Sequence, residues 1–161
     1  MEPPLDILAR LETLTRLAPS GFAMAMHVRF TTPTYLFQTY PKAWIEHYSR
    51  NGLVMRDPTV LWGFENAGLI QWRDLVGNDP HNVIAGAAAH GMKHGFTYVM
   101  DAGESRSLTS YTRPDRDFTA DEIAVICAHA DAIHTDTASP QALSARTRAD
   151  LHRLSITFTH P

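Results

Sequence analysis

Cysteine is nearly missing from this chain: Cys127 stands alone. No intramolecular disulfide can staple the fold, and nothing points to an oxidising compartment. Basic residues are not in excess either, since 14 Lys and Arg face 17 Asp and Glu for a formal net charge of −3. Such a field repels a phosphate backbone, which argues against nucleic acid as a direct partner. No segment approaches the roughly 20 apolar residues of a membrane span. The opening MEPPLDILARLETLTRL carries acids and helical spacing where a leader would be continuously apolar. A cytoplasmic protein without a membrane partner is the expectation. Repeats and low-complexity tracts are also missing. What remains is 161 residues, of which 44% are hydrophobic, enough for one domain with its own core and too few for two ordinary ones.

Leu5, Leu8, Leu11, Leu14 and Leu17 recur at helical spacing until Pro19-Ser20-Gly21 ends the run. The pattern then switches to alternation, with Phe22, Met24, Met26, Val28 and Phe30 on one face and His27 and Arg29 on the other. That predicts a half-buried strand, paired through the turn Thr31-Thr32-Pro33 with a second strand at Tyr35–Thr39. Pro41 and Asn51-Gly52 bracket a short helix, Asp57-Pro58 opens another over about 58–67, and Asp79-Pro80 opens an Ala-rich third. Leu69–Trp72 reads as a short strand. Phe96–Met100 and Ser105–Tyr111 flank a turn at Asp101–Glu104. Thr119 with Glu122 makes a capping box for a helix to about His134. The order predicts an α/β fold, an α-β-α sandwich with a central antiparallel sheet of about five strands and helices on both faces. The expected division is a domain over 1–137, then linker and tail over 138–161.

Tyr40, Trp44 and Tyr48 fall at successive i, i+4 steps, so their rings share one face. Aromatics at such spacing are more often plain core than ligand contacts. Asp57-Pro58 has an equally plain reading as a helix cap. The full spacing outweighs both: Tyr40-Pro41-Lys42-Ala43-Trp44-Ile45-Glu46-His47-Tyr48, then Asp57-Pro58, then Trp72, and further on Gly91-Met92-Lys93-His94-Gly95-Phe96-Thr97. These residues resemble the autoinducer (N-acyl-homoserine lactone) binding domain of LuxR-type quorum-sensing regulators, over roughly residues 5–135.

The resemblance implies a signal receptor, not an enzyme, with no cofactor or metal and with an N-acyl-homoserine lactone as ligand. It implies that Trp44 donates its indole N–H to the lactone carbonyl and that Asp57 accepts from the ligand amide. Tyr40 would donate to an acyl or amide carbonyl, Tyr48 and Trp72 would pack on the lactone and near acyl chain, and Thr109 would add a hydroxyl. Gly95 is expected to be structural, at a turn from helix into strand. Met24, Met26, Leu36 and Met100 are the expected wall of the acyl pocket. A homodimer is implied, through helices near 5–17 and 120–134.

Leu143-Ser144-Ala145-Arg146-Thr147-Arg148-Ala149-Asp150-Leu151 resembles the opening of the family's DNA-binding helix-turn-helix, with Thr147 where Glu is usual. Ten residues then remain, too few for the turn and recognition helix. DNA is therefore expected as a partner only through a domain this chain lacks. It is either the sensor part of a longer regulator or a stand-alone receptor that inhibits an intact regulator by heterodimerisation, and it could sense a non-lactone molecule. Two enzyme readings compete weakly. His90 and His94 have i, i+4 metal spacing but sit among glycines without a third ligand. Ser107, Ser110 and Asp101 could join a histidine in a hydrolytic triad, yet no G-x-S-x-G elbow is present.

Overall fold

The structure, a computed structural model, describes residues 3–138 and 144–159. Helix α1 (Pro3–Leu17) leads into the hairpin β1 (Gly21–Arg29) and β2 (Thr32–Gln38). Three short helices follow, α2 (Lys42–Arg50), α3 (Pro58–Glu65) and α4 (Val83–Ala89), with 3-10 turns and β3 (Gly68–Gln71) between them. The hairpin β4 (His94–Met100) and β5 (Ser107–Arg113) precedes α5 (Ala120–Asp136) and α6 (Ala145–Thr159). All pairings are antiparallel and the strand order is β2-β1-β5-β4-β3. This is the expected five-stranded sandwich.

The two faces of the sheet do different work. On one, Phe22, Met24, Met26, Phe37, Phe96 and Tyr111 pack with Ile7, Leu11 and Leu14 of α1 and Ile126, Ala130 and Ile133 of α5 into a closed core. Thr119 and Glu122 form the expected reciprocal cap on α5. Helix α6 joins this side, seated along β2 with Leu151 fully buried. Leu143, the first residue of the helix-turn-helix-like match, lies outside the described residues, as do 139 and 140 of the linker. Among the described residues, no helix is long and apolar enough to cross a membrane.

The alternation expected along β1 breaks at His27. Met26 and His27 both face the helices, so Val28 turns to the opposite side and Phe30 ends up 97% exposed. The cause is a bulge: His27 has a left-handed φ of 53°, and its N–H bonds Ser107 Oγ at 2.9 Å while Val28 N–H bonds the Arg106 carbonyl. The His27 ring stacks on His134 at 4.5 Å. Its Nε2 reaches the His134 carbonyl and Thr137 Oγ1, and its Nδ1 meets Ser105 Oγ at 2.6 Å. His134 Nδ1 in turn meets Ser107 Oγ, and its Nε2 faces the Ala102 carbonyl. Carbonyl partners require N–H on both Nε2 atoms, which assigns a proton to that nitrogen of each ring.

Burial, and next the stacked His134, push His27 down to about 4. The unfolded chain takes up a proton near pH 6.5 that the folded chain refuses, so stability is full above that pH and falls from about 6.5 towards 4. One such proton gives a slope approaching about 1.4 kcal/mol per pH unit. His129, also held low by burial, acts in the same direction. His27→Asn keeps a residue tolerant of left-handed backbone and is expected to flatten this slope in urea melts at pH 7 and 4.5. An unchanged slope would remove His27 from the acid response.

Candidate functional site

The other face of the sheet is covered by α2, α3 and α4, and here the packing is incomplete. A cavity of about 510 Å³ lies between them, within the range typical of small-molecule sites. Tyr40, Trp44, Tyr48, Asp57 and Trp72 all line it. Residues spread over 33 positions of sequence thus line one cavity: Tyr40, Trp44 and Tyr48 come from the entry and length of α2, Asp57 from the cap of α3, and Trp72 from the 3-10 turn after β3.

Asp57 is the helix cap expected of it, and its second carboxylate oxygen is engaged at the cavity. Its Oδ1 accepts from the N–H and hydroxyl of Thr59 at 2.9 and 2.7 Å, capping α3, while Oδ2 accepts from the Tyr48 hydroxyl at 2.8 Å. Burial pushes its carboxyl above the ordinary range, and these hydrogen bonds pull it back. Burial first, and then the nearness of Asp57, push the Tyr40 and Tyr48 hydroxyls upward, so both are neutral donors. Tyr40 stands just before α2 and bonds Ser110.

The two tryptophans differ in how their N–H groups are used. Trp72 donates to Thr97 Oγ1 at 3.0 Å, and that oxygen lies 2.6 Å from Ser110 Oγ. Trp44 is pinned by Tyr48, edge-on at 5.9 Å, and by His90 at 5.3 Å. No group among the described residues accepts from its indole N–H, which is not sealed from the cavity that Trp44 lines. A donor and a carboxylate oxygen with spare acceptor capacity therefore share one apolar chamber. Asp79, whose carboxylate receives the N–H groups of Val83, Ile84 and Ala85, fixes the helix that closes it.

Thr109 lies elsewhere. Its hydroxyl donates to the Tyr98 carbonyl, and its neighbours on β5, Leu108 and Ser110, are the ones that line the cavity. Strand parity separates them, so a shift of one residue changes the face. Of the expected acyl wall only Leu36 lines the cavity; Met24, Met26 and Met100 belong to the closed core opposite. Ala23, Ala25, Thr59, Thr97 and Ser110 were not read as cavity lining in the sequence, although alternation from Met24 would have pointed to the two alanines. Gly95 is structural as expected, yet it stands inside β4 rather than at a turn.

The enzyme constellations do not assemble. His90 faces the Gly86 carbonyl and Trp44, whereas His94 faces Asp117. Ser107 is sealed between His27 and His134, Ser110 bonds Thr97, and Asp101 is an exposed partner of Arg106.

Comparison with known proteins bears on the fold and the family. The transcriptional activator SolR of Ralstonia solanacearum, and that of Ralstonia nicotianae, are each 33% identical over 60 residues, which cover 37% of this chain and only 25% of either relative. SdiA in complex with octanoyl-rac-glycerol superposes with a TM-score of 0.61 at 21% identity, covering 84% of this chain and 61% of that one. CepR2 of Burkholderia cenocepacia, described as an N-acylhomoserine lactone dependent LuxR family factor, gives 0.54 at 16% identity, covering 86% and 95%. These likenesses show the fold. The autoinducer binding domain model matches residues 11–136, nearly the whole sandwich, and the chain belongs to the autoinducer-binding domain family of LuxR-type quorum-sensing regulators.

Proposed function

We propose that this domain binds an N-acyl-homoserine lactone in the cavity between the sheet and α2–α4. The observation that carries the reading is the pairing of the free Trp44 N–H with the Asp57 carboxylate in one apolar chamber. A lactone head group presents a carbonyl to the first and an amide N–H to the second, matching donor to acceptor. Tyr40 supplies a further donor towards an acyl or amide carbonyl, and the Tyr48 and Trp72 rings flank the head.

Ligand that binds only the folded state stabilises it by RT ln(1 + [L]/Kd), about 2.7 kcal/mol at a hundredfold excess over Kd. For a domain of this size that raises the melting temperature by about 5–10 °C. A thermal-shift series with acyl-homoserine lactones is expected to show it, and coinciding melting temperatures at every acyl length would refute the proposal. Octanoyl-glycerol, the ligand in the SdiA complex, is the informative rival probe, because it offers hydroxyls but no amide to Asp57. The same reading assigns signal binding, not DNA reading, to these 161 residues in a cytoplasmic protein. The net charge of −3 and the seating of α6 on β2 support it, and sequence-specific DNA retardation by the chain alone would overturn that part.

A further inference from the structure

The floor of the cavity is the sheet, and the register fixes what each cross-strand row presents. The row nearest Trp72 is polar: Thr97 pairs with Ser110, Ser110 with Ala23, and Ala23 with Gln38. Two residues along, the row is apolar, with Leu108 beside Ala25 and Ala25 beside Leu36. The next lining residues are Val28 and its partner Pro33, close to the β1–β2 turn. On this face β1 thus contributes only two methyl groups before Val28.

The bulge decides the character of the far end. Strict alternation after Ala23 and Ala25 would point His27 into the cavity; the left-handed turn at His27 sends the imidazole to the helix side and puts Val28 there instead. Beyond the polar row the floor is therefore apolar as far as Val28 and Pro33, with Thr31 of the β1–β2 turn beside them. Ala23 and Val28 are five residues apart, about 15 Å along a twisted, bulged strand. An extended chain advances about 1.2 Å per bond, because three backbone bonds span roughly 3.3–3.6 Å, so about twelve carbons fit that distance.

Resting on the lactone reading above, we infer that Ala25 sets the acyl length of the ligand by leaving a straight apolar channel along β1 that admits a linear acyl chain of about ten to fourteen carbons. Any larger side chain at this position stands between Leu36 and Leu108 and closes the channel one row beyond the head group. That row is two residues away, about 7 Å, which leaves room for about six carbons. Ala23, beside Ser110 and Gln38, leaves the same space at the start of the channel.

The test is a calorimetric titration with N-acyl-homoserine lactones from butanoyl to hexadecanoyl, on the 161-residue chain and on Ala25→Leu. For the wild-type chain, affinity is expected to rise about fourfold per added methylene to near dodecanoyl and then level off. Ala25→Leu is expected to keep butanoyl and hexanoyl binding within about twofold, which also shows that it folds, while dodecanoyl binding falls by at least about 30-fold, a discounted form of the per-methylene gain. If Ala25→Leu does not fold, Val28→Phe replaces it, blocking only the far end and moving the optimum to about octanoyl or decanoyl. The inference is overturned if wild-type affinity stops rising at hexanoyl, or if Ala25→Leu weakens short and long chains equally. Absence of binding by the wild-type chain at every length would instead refute the lactone reading itself.

Discussion

Asp57→Asn weakens lactone binding by about 10- to 100-fold, and Trp44→Phe by about 10-fold, while neither change unfolds the domain. The two magnitudes differ because the bonds differ. A hydrogen bond to a charged group contributes roughly 1.5–3 kcal/mol, one between neutral groups about 0.5–1.5. Asn remains a good helix cap and its amide oxygen still accepts from Thr59, so the cap on α3 survives, while the Tyr48 hydroxyl, which donated to Oδ2, must instead accept from the amide N–H. What is lost is a carboxylate facing the ligand amide. Trp44→Phe keeps a ring between Tyr48 and His90 but removes an indole N–H that lines the cavity and that no group among the described residues accepts. Calorimetry with the best-binding lactone measures both, and thermal melts without ligand serve as the control for folding. Wild-type affinity in both variants would sink the assignment of these residues to the head group.

The sandwich was legible because its signals are local. Leu5 to Leu17 write a helical period, Thr119 and Glu122 write a cap, and the alternation from Phe22 to Met26 writes a strand; each survives into the fold without help from distant residues. The site was legible for another reason. Tyr40, Trp44, Tyr48, Asp57 and Trp72 keep spacings that resemble those of a known family, whereas from periodicity alone the same aromatics read as core. The failures share one physical source, the period of two in a strand. Met24, Met26 and Met100 were expected on the pocket side and lie on the closed face. Thr109 lies one residue from Ser110, on the wrong side of β5 for the cavity. Nothing in a lone sequence says which face of a sheet buried between two helical layers will be filled and which left hollow, because both faces are apolar. The bulge at His27 was equally hidden, since histidine at a left-handed position has no sequence signal as strong as Gly or Asn. Its effect is large all the same, because it decides that valine and not imidazole stands at the far end of the channel.

Gly95→Val is expected to destabilise the domain by about 3 kcal/mol or more and to weaken ligand binding with it. The reason is a contact that only glycine permits. A Cβ built on Gly95 would meet Trp72 ring atoms Cδ2, Cε3 and Cε2 at 2.7, 2.9 and 3.0 Å. The indole lies flat on the strand, so no rotation of a flexible end relieves the clash. Moving the ring breaks its bond to Thr97 and disturbs the Thr97–Ser110 pair that Tyr40 leans on. The polar row beneath the head group would lose its geometry together with the packing. For a domain of this size the melting temperature should fall by roughly 6–12 °C. The adjacent comparison is Gly86→Ala, whose Cβ would come within 2.9 and 3.2 Å of the outer ring atoms of Trp44; there a helix gains up to about 1 kcal/mol from alanine, which partly offsets the contact. Valine at Gly95 gains up to about 1 kcal/mol of strand propensity, which the contacts with three atoms of the ring core outweigh. A Gly95→Val domain that melts like the wild type and binds lactone equally well would mean that Trp72 has another place to go, and that the floor of the site does not depend on where this ring lies.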